Sequence, residues 1–148
     1  MIYLGSNLVE ILLVEDNPAD ARLVEEAFKD FKIKNNIYIA DDGFKAMEFL
    51  KNKNEYINVP KPDIILLDLN LPRKDGREVL KEIKGDENLK VIPVVILTTS
   101  DAEEDIICTY KNNANCFITK PVDLDHFISV IKSIEDFWLN KVKLPSNM

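Results

Sequence analysis

Four apolar runs in this chain end on residues able to do chemistry. Val9 to Val14 ends in Glu15-Asp16, and Asp63 to Leu67 ends in Asp68, followed by Leu69-Asn70-Leu71-Pro72. Val94 to Thr98 closes on Thr98-Thr99-Ser100, and Cys116 to Thr119 runs into Lys120-Pro121. If the first and third of these lie side by side, three acids, a hydroxyl and a lysine converge. Crowded carboxylates repel one another, so such a cluster calls for a cation or a raised pKa. A hard divalent metal answers that need: Mg²⁺ takes oxygen ligands, commonly one or two carboxylates with waters and a phosphoryl oxygen. Lys120 as a point charge and Thr98 as a hydroxyl donor suit the phosphoryl group itself. The set is suited to placing a phosphoryl group on Asp68, with metal offsetting the charge.

The elements that must position these residues alternate along the chain. With Ile37 to Ala40 the apolar runs number five, brief and rich in Ile, Val and Leu, as parallel strands buried on both faces are. Between them lie amphipathic stretches. Val24, Ala27, Phe28 and Phe31 follow helical spacing, as do Leu124, Phe127, Ile128 and Ile131, continued by Ile134 and Trp138. Shorter versions occur at Ala46-Met47-Leu50, Val79-Leu80-Ile83 and Ile106-Ile107-Tyr110. Asn17-Pro18 opens the first helix, Gly85 follows the third and Pro121-Val122-Asp123 introduces the fifth. The order reads as (βα)5, an α/β fold with a doubly wound parallel five-stranded sheet. In such a sheet function gathers at the carboxyl ends of the strands, where the residues above fall.

Composition narrows the classes further. A chain of 148 residues with 46% hydrophobic and 30% charged residues can bury a real core, which excludes wholesale disorder. One domain over 1–148 is expected, with its core at about 9–138 and an arm at 139–148. No apolar run approaches the roughly 20 residues of a membrane-spanning helix. Met1 to Glu10 lacks the basic start and long apolar stretch of a signal peptide, so a soluble, cytoplasmic protein is expected. A formal net charge of −7 disfavours direct binding to nucleic acid. Cys108 and Cys116 form no CxxC pair and read as small buried side chains; His126, the single histidine, reads as structural or surface.

Taken in order, the residues resemble the response-regulator receiver domain of two-component signalling. The acidic pair, Asp68, Gly76 after Pro72, Thr98 and Lys120-Pro121 come in that family's sequence, with 30 residues from Asp68 to Thr98 and 22 from Thr98 to Lys120. The likeness runs from about Val9 to Trp138. It implies a flavodoxin-like sheet in strand order 2-1-3-4-5. It implies Asp68 as the phospho-accepting nucleophile and Mg²⁺ held by the Asp16 and Asp68 carboxylates, the Asn70 backbone carbonyl and, through water, Glu15. Thr98 and Lys120 would grip the phosphoryl oxygens, and Phe117 would be the aromatic switch that turns inward when Thr98 moves. The pair is Glu-Asp here, where many members carry Asp-Asp. A protein of this kind takes its phosphoryl group from a sensor histidine kinase and signals through a partner-binding surface. It catalyses its own modification without being a turnover enzyme.

The residues alone leave humbler roles open. Asn70 and Pro72 could simply shape a turn, Thr98 could be a strand-end residue, and Phe117 could be core in every state. Two other functions share the fold class. A phosphatase of haloacid-dehalogenase type also phosphorylates a strand-end Asp but wants a second Asp two residues later as general acid, where this chain has Asn70. A flavodoxin-like cofactor binder wants a phosphate-cradling first loop, where Glu15 and Asp16 would repel phosphate.

A narrower resemblance comes from the apolar tail with Trp138, Leu139, Val142 and Leu144, the Asn52 to Pro62 connection and the Val-Pro-Lys-Pro-Asp motif. These are similar to single-domain regulators that partner phytochrome-type or other sensor histidine kinases. That likeness implies a homodimer in which the fifth helix and the arm bury apolar surface against a second copy.

Overall fold

The computed structural model describes residues 8–29, 34–99, 102, 105–106, 110–114, 116–120, 125, 129 and 132–133. Strands β1 (Val9–Val14), β2 (Asn35–Ala40), β3 (Ile64–Leu67), β4 (Val94–Thr98) and β5 (Cys116–Thr119) form one parallel sheet in the order β2-β1-β3-β4-β5. The helices α1 (Pro18–Phe28), α2 (Gly43–Leu50) and α3 (Gly76–Gly85) connect them. Further helical residues stand at 105–106 and 110–111, before β5, and at 125, 129 and 132–133, after it. The expected (βα)5 order and the expected strand order are both present.

Alternation along each strand sends side chains to two cores. Leu12, Val14, Ile65, Leu67, Val94 and Ile96 face one side and pack with buried residues of α2 and α3. Ile11, Leu13, Ile64, Leu66, Val95 and Leu97 face the other and pack with Ala21, Val24, Ala27 and Phe28 of α1. Central strands β3 and β4 are buried at every position, which is why they read as unbroken apolar runs. The edge strand β2 departs from that expectation: only Ala40 is buried, and Ile39 is 44% exposed.

Among the described residues, the starts of α1, α2 and α3 at the sheet's carboxyl edge are each capped from their own loop. Asn17 accepts from the N–H groups of Ala19 (2.9 Å) and Asp20 (3.2 Å), Asp42 from Lys45 (2.7 Å) and Asp75 from Arg77 (2.9 Å). The start of α3 lies hard against the backbone that follows β3. A Cβ on Gly76 would come 2.2 Å from the Asp68 carbonyl oxygen and 2.6 Å from the Leu69 Cα, so only glycine permits this approach.

Three boundaries differ from expectation by one or two residues. β2 begins at Asn35, β3 begins at Ile64, and Gly85 is the last helical residue of α3 rather than the residue after it. Asp63, expected in β3, instead exchanges hydrogen bonds with Glu10: its carboxylate accepts from the Glu10 N–H (2.8 Å), and its N–H donates to the Glu10 carbonyl (2.7 Å). The Asn52 to Pro62 connection contains a 3-10 turn at Asn54–Tyr56, and the Asn52 amide ties it together by donating to the carbonyls of Tyr56 (3.1 Å) and Val59 (2.9 Å). Cys108, His126, the stripe from Leu124 through Trp138 and the 139–148 arm lie outside the described residues.

Candidate functional site

Parallel register brings the strand ends together. Val14 stands beside Leu67, so Glu15 and Asp68, one residue further on, share the carboxyl edge. Thr98 stands beside Thr119, and the Lys120 N–H donates to the Thr98 carbonyl at 2.6 Å. Carboxylate oxygens of Glu15, Asp16 and Asp68 all lie within 4.8 Å of one another. Glu15 and Asp68 are buried, whereas Asp16 is exposed. All three donors are oxygens, two of them withdrawn from water, and this donor set fits a hard divalent cation.

Lys120 is the cation within the protein itself. Its ammonium is hydrogen-bonded to Glu15, lies 2.9 Å from an Asp20 oxygen and 3.3 Å from an Asp68 oxygen, and its side chain is almost wholly buried. Burial works against its charge, yet the hydrogen bonds to Glu15 and Asp20 and the charge of Asp68 push its pKa above the ordinary lysine range. Burial acts on Glu15 in the opposite sense. It pushes the carboxyl up to about 7, against the pull of Lys120 and with a further upward push from Asp68.

Asn70, exposed at the end of β3, uses both parts. Its backbone N–H donates to Asp68 at 3.1 Å, while its side-chain amide donates to the hydroxyls of Thr98 (3.3 Å) and Thr99 (3.2 Å). The side chain thus spans the ends of β3 and β4, a contact its place in the sequence left open. Thr98 is fully buried. Phe117 lies beside Ile96 across the β4–β5 ladder and is partly buried against the core formed by α2 and α3. Arg77, in the first turn of α3, pairs with Asp105 through two 2.7 Å contacts and so ties α3 to the segment after β4.

Glu15, Asp16, Asp68, Asn70, Thr98 and Lys120 therefore share this edge, and Phe117 sits one layer below it, on the core side, while Ser100 and Pro121 lie outside the described residues. Asp20 was not singled out. It is the third helical residue of α1, where an acid commonly reaches back to the N-cap N–H. Here the Asn17 N–H donates instead to Glu15 at 3.2 Å, and the Asp20 carboxylate turns to Lys120. The Asn-Pro-x-Asp spacing was the available signal, but only the strand order brings Lys120 within reach.

The raised pKa of Glu15 gives a signed expectation. Between about 4.5 and about 7 the folded protein holds a proton on Glu15 that the unfolded chain has released, so stability falls as pH rises through that window. Stability from urea unfolding in chelator is expected to decline from pH 5 to pH 7.5, by about 2 kcal/mol from this group. A saturating divalent cation should flatten the decline, and so should Glu15→Gln. A Glu15→Gln variant that loses stability as the parent does would assign the effect to other groups.

A family model for the response regulator receiver domain matches residues 11–132. The chain belongs to that family. Response regulator Rcp1 of Synechocystis sp. is 52% identical over 136 residues, 92% of this chain and 92% of the relative. The probable methanogenesis regulatory protein FilR2 of Methanothrix harundinacea is 38% identical over 135 residues, 91% of this chain and 86% of its own. Among solved structures, the phosphorylated cyanobacterial phytochrome response regulator RcpA matches with a TM-score of 0.82 at 49% identity, covering 91% of this chain and 96% of that one. The Mn²⁺-bound form of Rcp1 matches with a TM-score of 0.80 at 52% identity, covering 88% and 94%.

This receiver is similar to phytochrome response regulators, and the two rival functions gain nothing from the site. Where a dehalogenase-type phosphatase would need its acid, the Asn70 amide is engaged with two threonines. Where a flavodoxin would cradle phosphate, the loop after β1 presents the carboxylates of Glu15 and Asp16. Among the described residues no helix is long and apolar enough to cross a membrane.

Proposed function

We propose that this receiver accepts a phosphoryl group on Asp68 from the phosphohistidine of a sensor histidine kinase, and that the modification switches a partner-binding surface. The observation that carries this reading is the Lys120 ammonium 3.3 Å from Asp68, beside a group of three carboxylates that needs a cation. In the transfer, a carboxylate oxygen of Asp68 attacks phosphorus, the bond from phosphorus to imidazole nitrogen breaks, and the imidazole leaves. Asp16, Asp68, the Asn70 carbonyl and, through water, Glu15 would hold Mg²⁺. Bound there, the ion supplies positive charge against the developing charge on the phosphoryl oxygens. Lys120 and Thr98 bind those oxygens. Water later hydrolyses the acyl phosphate, so the protein modifies and restores itself and is not a turnover enzyme.

Phosphorylation adds about −1.5 to −2 charge and three acceptor oxygens. Thr98 moves toward them, leaves its contact with Asn70 and vacates space for Phe117. Differential contacts of this kind are what allow a ligand to shift a conformational equilibrium. The surface so altered is that of β5 and the helical segments on either side of it.

Likeness to the phytochrome response regulator RcpA supports a kinase of phytochrome type. The reading takes the cytoplasm as the location and about 9–138 as the receiver unit. A homodimer built on the last helical segment and the 139–148 arm completes the reading. Light scattering is expected to give a two-chain mass that falls to one chain on truncation after Trp138, with phosphorylation of Asp68 retained. A full-length chain that stays monomeric at high concentration would remove the dimer and leave the rest intact.

Acetyl phosphate, a small phosphoryl donor, tests the central reading. Intact mass is expected to show one added phosphoryl group with Mg²⁺ present and none in chelator. No mass gain in either condition would overturn it.

A further inference from the structure

Resting on the phosphorylation reading, we propose that Asp20 is a positioning residue that parks Lys120 in the unphosphorylated receiver, a contact that phosphorylation must displace. A lysine ammonium has three N–H donors. Here three carboxylates take them: Glu15, Asp20 at 2.9 Å and Asp68 at 3.3 Å. A phosphoryl group on Asp68 presents new oxygens to the same ammonium, which can engage a further one only by giving up an old partner.

Burial decides which partner is given up. The Glu15 side chain is 1% exposed, so no water can replace the ammonium and losing it would leave a buried carboxyl without its donor. The Asp20 side chain is 35% exposed and can exchange the ammonium for water. The donor on Asp68 passes to one phosphoryl oxygen, and a second phosphoryl oxygen takes the donor that Asp20 releases. Glu15 therefore keeps Lys120 in the site, and Asp20 sets how readily it swings. Asp20 also lies outside the group of three acids whose oxygens converge within 4.8 Å, so its role with Lys120 is separable from cation binding.

The geometry follows from the helix cap. With the Asn17 N–H donating to Glu15, the carboxylate of Asp20 in the first turn of α1 has Lys120 as its hydrogen-bond partner. A contact linking residues 100 positions apart thereby couples the first turn of α1 to the end of β5.

Beryllofluoride, a stable stand-in for a phosphoryl group on a carboxylate, measures the exchange directly. In calorimetric titrations with saturating Mg²⁺, Asp20→Asn is expected to bind beryllofluoride about fivefold more tightly than the parent, the upper range for a partly exposed ion pair. Mg²⁺ affinity without beryllofluoride should stay unchanged, a split that a merely structural role would not produce. Asp20→Glu should return the beryllofluoride affinity toward the parent. Unchanged or weaker beryllofluoride binding by Asp20→Asn, beside a parent that binds it, would overturn the parking role alone. A parent that takes no beryllofluoride with Mg²⁺ would overturn the phosphorylation reading and the parking role with it.

Discussion

Asp68→Asn is expected to show no phosphoryl label from acetyl phosphate or a cognate kinase while keeping its fold. The amide oxygen is a far poorer nucleophile than the carboxylate. The fold survives because the substitution keeps the volume, and Lys120 can still donate to the amide oxygen. Removing one of the crowded charges also relieves Glu15, whose pKa Asp68 helps to raise. The variant should therefore lose less stability than the parent between pH 5 and pH 7.5 in chelator, and it should bind Mg²⁺ more weakly. Intact mass and urea midpoints read both effects. An acid-labile phosphoryl group persisting on the variant would take the acceptor role away from Asp68.

Lys120→Met is expected to damage both reaction and fold. Electrostatic stabilisation of a developing anion is commonly worth about 10²–10³ in rate, so labelling by acetyl phosphate should fall by that order. The structural loss has the same origin. Glu15 and Asp68, both buried, lose the cation they share, and breaking a buried pair in this way costs about 3–5 kcal/mol. Two of the influences that hold the Glu15 pKa down, the hydrogen bond and the charge of Lys120, vanish together. Glu15 then takes up its proton at higher pH than in the parent, and the window over which stability falls with rising pH widens upward. Urea midpoints should thus show a deficit large at pH 8, smaller at pH 5 and partly recovered by Mg²⁺. A deficit independent of pH would point to lost packing instead of lost charge.

Much of this protein can be read from local sequence, and the residues show why. Buried parallel strands must be apolar on both faces, so Ile64-Ile65-Leu66-Leu67 and Val94 to Leu97 announce themselves, and the first polar residue after each strand marks the functional edge. Glu15, Asp68 and Lys120 were identifiable in that way, one strand end at a time. The same rule says less about β2, which lies at the sheet edge with Ile39 turned to water, because an edge strand needs no continuous apolar run. Asn70 was legible as a turn residue, yet the use of its side chain depended on where β4 lay.

Local sequence pattern left the adjacency of β1 and β3 as a condition, and the strand order came only from the family likeness. In the folded sheet the order β2-β1-β3-β4-β5 places Glu15 beside Asp68 and brings Lys120 back over both. The engagement of Asp20 followed only then, since a first-turn acid has several partners within reach and the cap chemistry of Asn17 and Glu15 selects among them. Burial is likewise a property of the packed sheet. It separates Glu15, whose pKa is pushed to about 7, from the neighbouring Asp16, which stays exposed to water. Local sequence specifies which groups stand at a strand end, whereas charge and reach depend on distance and dielectric, and those exist only once the strands are side by side.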